Sequence, residues 1–297
     1  MNILLNKKYH EKDIFYNKEI IAEISKHRNI KTLIINNNPI FIYKFKCFNL
    51  KIKAYIPELD AMLINRIFKL CKDNNAPSLE LIANDKNQSI EKLSNKISES
   101  YDATYVIDLK KDLEDLFSNV KDSRRSIIRK AKKMGVSITF DFDEEVFNKW
   151  WSLYLETVRR GNFIPERKEL IWSLLLKNHC DLFTAWENNK LLAGAIIVTN
   201  NYPVYWLGGS SKEYPEYHAS SLLQWRIIEH CKKKDYEIYD MGGASLQKNH
   251  GPTIFKKSFG GELIKTIHYT TIFKPITDKF LSYLKYIYYK KLRKSSF

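Results

Sequence analysis

Residues 239–261 gather the side chains of this sequence best suited to chemistry. They read Tyr-Asp-Met-Gly-Gly-Ala-Ser-Leu-Gln-Lys-Asn-His-Gly-Pro-Thr-Ile-Phe-Lys-Lys-Ser-Phe-Gly-Gly. A strand ending in Asp240 breaks at Gly242-Gly243, and a polar loop follows. A short helix then carries Phe255 and Lys256 to a second break at Gly260-Gly261. Paired glycines at both exits let the backbone approach a ligand or another strand closely. Composition alone fits a structural turn and a binding site equally. Asp240 could orient a reacting group or accept its proton, although a strand-end carboxylate is as often structural. Lys256 could supply a fixed positive charge with three hydrogen-bond donors, or be a solvated helix lysine.

Other chemistries find no support. The seven histidines are scattered, and none pairs with another histidine or a cysteine at ligand spacing, so no metal is expected. Gly208-Gly209-Ser210 follows a strand but lacks the closing glycine of a nucleophile elbow. Neither phosphate-cradling glycine motif, G-x-x-x-x-G-K-[ST] or G-x-G-x-x-G, occurs. No cofactor is expected.

The elements that must carry the cluster are marked by an internal echo. Residues 66–72 read Arg-Ile-Phe-Lys-Leu-Cys-Lys and residues 226–232 read Arg-Ile-Ile-Glu-His-Cys-Lys. Each closes an apolar-periodic helix that leads through a polar turn into a short strand, Ser78–Ile82 and Tyr236–Asp240. Upstream of each lies a strand–turn–strand pattern, 32–35 with 40–45 and 182–186 with 191–198. The shared order points to duplication. The expected fold is therefore α/β (α+β), with two similar halves, each a mixed sheet flanked by helices. The expected divisions are 1–110, connecting helices over 111–180, and 181–297. Between the halves, a helix from near Asp122 to Gly135 sets Ile127, Ile128, Ala131 and Met134 on one face. Arg125, Arg129, Lys132 and Lys133 fall largely on another.

The chain has 297 residues, enough for a substantial core, and 44% are hydrophobic, which excludes disorder. Its 49 Lys+Arg against 34 Asp+Glu give a net charge of +15, favouring polyanionic partners or an acidic membrane. Cys47, Cys71, Cys180 and Cys231 form no pair in sequence and read as buried thiols of a reducing cytosol. Ile3, Leu4 and Leu5 before Lys7 are too short for a signal-peptide core, and no apolar run could span a bilayer. The expected location is cytoplasmic. After Pro275, Phe280, Leu281, Leu284, Ile287 and Tyr288 recur at helical spacing among lysines. That helix either docks inward or touches an anionic membrane from the cytoplasmic side.

Tyr239-Asp240-x-Gly-Gly with Phe255-Lys256-x-x-Phe259-Gly260-Gly261 resembles the signature of the FemABX-type aminoacyltransferases. These are FemAB-like members of the GNAT superfamily that add amino acids to peptidoglycan precursors. Thr157-x-x-Arg160 with Phe163, Leu222-Leu223-Gln224-Trp225 and the basic helix from Arg124 to Gly135 resemble further family elements. The resemblance covers most of residues 101–272 and implies two tandem GNAT-like domains. It also implies transfer of an aminoacyl group from aminoacyl-tRNA to an amine on a lipid-linked or nucleotide-linked cell-wall precursor. By that resemblance Lys256 is catalytic, and Asp240 joins it as the candidate that would orient the amine or accept its proton. Arg160 binds the acceptor phosphate, with Tyr214 and Phe255 in the substrate site. Arg125, Arg129, Lys132 and Lys133 fit tRNA phosphates, with a solvated charged face as the alternative. The stretch 212–220 has no glycine, so the pyrophosphate loop of acyl-CoA users is missing. An acyl-CoA-type N-acyltransferase of an envelope polysaccharide precursor is the rival enzyme. A non-catalytic protein binding tRNA or a membrane surface is the third reading.

Overall fold

The computed structural model describes residues 17–28, 30–45, 48–56, 61–83, 97–247 and 250–295. In chain order the elements are α1 (Lys18–Arg28), β1 (Ile30–Ile35), β2 (Asn38–Phe45), β3 (Phe48–Tyr55), α2 (Ala61–Asp73), β4 (Ser78–Ala83) and β5 (Ile97–Asp108). Next come α3 (Leu113–Asn119), α4 (Asp122–Lys133), β6 (Ser137–Thr139), α5 (Glu144–Gly161), α6 (Lys168–Leu176), β7 (Cys180–Glu187), β8 (Lys190–Thr199) and β9 (Pro203–Ser210). The last are α7 (Ala219–Lys233), β10 (Ile238–Ala244), α8 (Gly251–Lys257), β11 (Glu262–Ile272) and α9 (Pro275–Ser295). The fold is mixed α/β, as expected.

The chain forms two compact units. A central unit is Ala103–Ile264, and a flanking unit joins the residues up to Asp102 with those from Lys265 onward. The boundaries fall inside β5 and β11. The flanking sheet has the order β1-β2-β3-β4-β11 and the central sheet β5-β10-β9-β8-β7-β6. Each is antiparallel except for one parallel pair, β3/β4 in the first and β9/β10 in the second. In both units a hairpin, a third strand, a helix and a parallel strand follow one another. The echo read from the sequence thus corresponds to α2–β4 and α7–β10. The fifth strand of each sheet comes from the chain that follows the other repeat: β11 lies on β4, and β5 on β10.

The helices form where pattern and caps agree. Asp143 accepts the Val146 amide at 2.7 Å to start α5, and Asn162 in the left-handed region ends it. Phe147, Trp150, Tyr154 and Val158 are buried along one stripe of α5. Its neighbour β9 comes so close that a Cβ on Gly209 would lie 2.9 Å from the Tyr154 amide nitrogen. On α4, Ile128 and Ala131 are buried while Arg129, Lys132 and Lys133 are exposed. Cys71, Cys180 and Cys231 are buried free thiols, and burial pushes Cys71 up to about 12. Cys47 lies outside the described residues.

A ladder of charge crosses the flanking sheet. Glu80 on β4 meets Lys51 at 2.7 Å and Lys53 at 2.9 Å from β3, and His268 Nδ1 at 3.0 Å from β11. His268 Nε2 stands 3.1 Å from the Asp102 carboxylate. Burial would raise Glu80, yet His268 and the two lysines outweigh it and hold the carboxyl well below its usual range. Burial would lower His268, but Asp102 and Glu80 outweigh that and raise its pKa.

On α9, Leu281 is buried and Asp278 accepts from Ser78 Oγ at 2.7 Å. Ile276, Phe280, Tyr283 and Ile287 are exposed, Ile276 to 87%. Inward docking of the whole apolar set would have buried Phe280 and Ile287, so α9 carries an outer apolar stripe as well as an inner one. The Tyr288 side chain is not among those described. No described helix is long and apolar enough to cross a membrane, and no described group of His, Cys, Asp and Glu could hold a metal.

Candidate functional site

The central sheet opens between its two parallel strands. β9 and β10 form a single register pair, Val204 with Asp240. Beyond it a bulge between Asp240 and Gly243 displaces β10. The strand does not break at Gly242, as its composition suggested; it continues through the bulge to Ala244. Gly242 has φ +72°, and a Cβ there would lie 2.2 Å from the Tyr205 carbonyl oxygen. Only glycine fits. Parallel strands that part at their carboxyl ends leave the crevice where α/β sheets bind ligands.

Asp240 braces this bulge. Its buried Oδ1 accepts the Gly242 amide at 2.7 Å and the Thr104 hydroxyl, which also lies 2.8 Å from the Gly242 carbonyl oxygen. Lys256 holds the next peptide group. Its Nζ donates to the Gly243 carbonyl at 2.6 Å and stands 5.6 Å from the centroid of the Tyr205 ring. The helix that presents it, α8, is tied down at its start. Thr253 Oγ1 accepts the Ser245 amide at 2.9 Å and lies 2.9 Å from His250 Nδ1. The two residues expected to be catalytic therefore meet on one bulge.

Tyr205 was not singled out from the sequence. Its hydroxyl occupies the space that a side chain at Gly208 would fill, since a Cβ there would lie 1.7 Å from it. Burial pushes its phenol up to about 12, so it stays protonated and can donate. The available signal was an aromatic residue in a strand running straight into paired glycines.

Arg124 was grouped only with the basic helix. Its Nε donates to Ser258 Oγ at 2.9 Å and its Nη1 to Ser221 Oγ at 2.7 Å, joining α4 to α8 and α7. The Phe255 ring lies under this guanidinium, 4.7 Å away, with Phe259 at 5.8 Å. Phe255 thus packs on Arg124. Burial lowers the Arg124 pKa from its ordinary value. Burial also lowers that of His218 before α7, and Lys130 and Arg124 add to the effect.

Arg160, near the end of α5, donates through Nη2 to Ser210 O and to Thr157 Oγ1, each at 2.8 Å. Thr157 Oγ1 accepts the Ser210 amide at 3.2 Å. The Thr157-x-x-Arg160 element therefore clamps the carboxyl end of β9. Ser210 lies five residues beyond Tyr205, about 16 Å at the usual rise of a strand. Tyr214 follows in the next loop. Its hydroxyl donates to Glu213 at 2.8 Å, a bond that raises its pKa, and Lys190 Nζ stands 4.7 Å from its ring centroid.

The basic helix divides by role. Arg125 is folded back on the α3–α4 junction, bonded to the Ser118 and Val120 carbonyls and to Asp122. Arg129 lies with its guanidinium 5.3 Å from the Phe117 ring centroid. Lys132 and Lys133 project into solvent.

Comparison with known proteins agrees with the motifs. The FemAB family model matches residues 176–285, which contain β9, α7, β10 and α8. The solved structure of FemX is similar, with a TM-score of 0.68 at 14% identity, over 88% of this chain and 92% of that one. The C-terminal domain of a putative lysylphosphatidylglycerol synthetase from Agrobacterium fabrum is also similar, with a TM-score of 0.64 at 11% identity, over 90% and 93%. A tandem GNAT protein from the clavulanic acid biosynthesis pathway gives 0.51 at 10% identity, over 79% and 78%. None of the curated proteins matches significantly. The FemAB-like resemblance read from the motifs is borne out, and the likeness to FemX and to the tandem GNAT protein shows the fold.

Proposed function

We propose that this FemAB-like chain is an aminoacyltransferase that moves an aminoacyl group from a charged tRNA to a primary amine of a cell-wall precursor in the cytoplasm. The observation that carries the reading is the Lys256 ammonium, anchored on the Gly243 carbonyl at the mouth of the β9/β10 opening. The aminoacyl ester is already activated, so the task is positioning and charge stabilisation. The amine attacks the ester carbonyl and the carbonyl oxygen takes the negative charge. The C–O bond to the ribose then breaks, and the proton lost by the amine leaves on the ribose oxygen. Lys256 stabilises the oxyanion, with the neutral Tyr205 phenol as a second donor. Asp240 acts by holding the bulge. Arg160 from α5 and Tyr214 from the loop after β9, both beyond the carboxyl end of that strand, receive the acceptor, and the Arg160 fork suits its phosphate.

The acceptor is a lipid-linked or nucleotide-linked precursor. The exposed stripe of Ile276, Phe280, Tyr283 and Ile287, beside exposed Lys279, fits reversible contact with an anionic membrane. Six basic residues against one acidic residue from Pro275 onward add charge complementarity.

The test is amide formation between a panel of charged tRNAs and amine-bearing precursors, run in parallel with acyl-CoA donors. Product from a charged tRNA supports the reading. Product from acyl-CoA alone moves the protein to the N-acyltransferases, and no product with any donor leaves a binding protein.

A further inference from the structure

We propose that the cleft between α4 and α7 is a nucleotide-binding site, its aromatic lining taking the base and its cationic rim the phosphate. This goes beyond the donor assignment and relies on it only for the source of the nucleotide. The cleft has a volume of about 220 Å³. Phe117 from α3 and the largely buried Trp225 from α7 are among its lining, with ring centroids 4.8 Å apart and tilted by 59°. Arg129 and Lys132 from α4 and Arg226 from α7 line it as well. The carboxylate in the lining, Glu229, is already engaged. It accepts Trp225 Nε1 and Arg226 Nη1, each at 2.7 Å.

Charge and shape then point one way. Among the described residues Arg129 and Lys132 have no carboxylate within ion-pair distance, and both are exposed. Arg125, one turn earlier, is closed onto Asp122 and two carbonyls, so the helix offers some cations and withholds another. A free phosphate would use the rim and leave the rings idle. An apolar ligand would desolvate two cations without pairing them. A base carrying a phosphate satisfies both, stacking on aromatic and guanidinium planes while the ammonium meets the anion. Two sources share this chemistry: the single-stranded end of the donor RNA and the nucleoside diphosphate of a nucleotide-linked acceptor.

The experiment measures binding of two probes to the full chain. One is a labelled single-stranded RNA of about eight nucleotides, followed by fluorescence anisotropy. The other is uridine diphosphate, followed by calorimetry. Phe117→Leu removes the stacking ring and keeps apolar volume. The Arg129→Glu, Lys132→Glu double variant changes only exposed side chains and remains informative if the first misfolds. Lys265→Glu, an exposed site outside the cleft, is the charge control. Each cleft variant should weaken one probe about tenfold or more, with the control unchanged. For RNA, the salt slope should fall by about 1.4 in the double variant, as for two lost phosphate contacts. Loss confined to RNA assigns the cleft to the donor, and loss confined to uridine diphosphate assigns it to the acceptor. Wild-type binding of both probes by the double variant overturns the site. If the cleft variants lose binding while wild-type protein transfers nothing, the site stands and the transferase reading falls. Transfer with unchanged KM for both substrates in the double variant does the reverse.

Discussion

A methionine at position 256 keeps the unbranched shape of the lysine, one atom shorter, and loses its charge and its bond to Gly243. Turnover of Lys256→Met should fall about 100- to 1000-fold. Unfolding temperature should barely move, because the side chain is only half-buried. Near-normal turnover would remove Lys256 from the chemistry. Arg160→Lys keeps charge but cannot hold Ser210 and Thr157 with one planar fork while engaging a phosphate. Acceptor KM should rise more than donor KM; an unchanged acceptor KM would leave Arg160 as a clamp on β9. Lys256, Asp240 and Arg160 were recognisable as candidates because short motifs contain them. Tyr205 was not, because its position depends on a bulge in another strand and on the missing side chain at Gly208.

Adjacent glycines should behave differently on the bulge. Gly242→Ala faces a left-handed φ and the Tyr205 carbonyl, whereas a Cβ at Gly243 meets nothing within 4 Å. Gly242→Ala should cost about 2–4 kcal/mol and Gly243→Ala well under 1 kcal/mol. Equal denaturant midpoints would contradict the geometry. The charge ladder of the flanking sheet makes a second prediction. The His268 pKa is raised on folding. Its stabilising contribution is complete below the unfolded value of about 6.5 and disappears as pH rises through the folded value. Thermal stability should therefore decline as pH rises above about 6.5, and His268→Gln should remove that slope. A slope that survives in the variant belongs to another group. Glu80, depressed on folding, contributes fully above its unfolded pKa and loses this progressively as pH falls from there toward strong acid. Local signals found α4, whose stop at Gly135 is written in the chain, and the helices of both repeats. They placed the start of β10 at Tyr236, but the left-handed Asp235 and the bond from the Tyr236 amide to Cys231 O still belong to the turn. The strand starts at Ile238. Nothing local marked the β9/β10 opening, since pairing register is decided between distant segments.

On the scale of the whole molecule, the net charge of +15 and the outer stripe of α9 should act together. The protein should co-sediment with anionic vesicles, and replacing Ile276 and Phe280 by serine should weaken this at least about tenfold. Both side chains are exposed, so folding should be unaffected. Binding that ignores lipid charge, or that survives the double change, would end the membrane role. The duplication was legible as a shared order of elements, but the assignment of β5 and β11 was not, because each fifth strand pairs far from its neighbours in sequence. That connectivity also bears on how the protein is made. During synthesis β4 emerges early, with Leu79, Leu81, Ile82 and Ala83 ready for burial. Its partner β11 follows only after about 180 more residues, which at ordinary ribosome speeds means roughly 10–40 s. Through that interval the nascent chain holds an unpaired, apolar strand edge, the feature that invites pairing with another chain. A ribosome stalled after residue 110 would therefore display a half-built sheet, and nascent chains released there should engage chaperones or aggregate, whereas chains released after residue 272 should not.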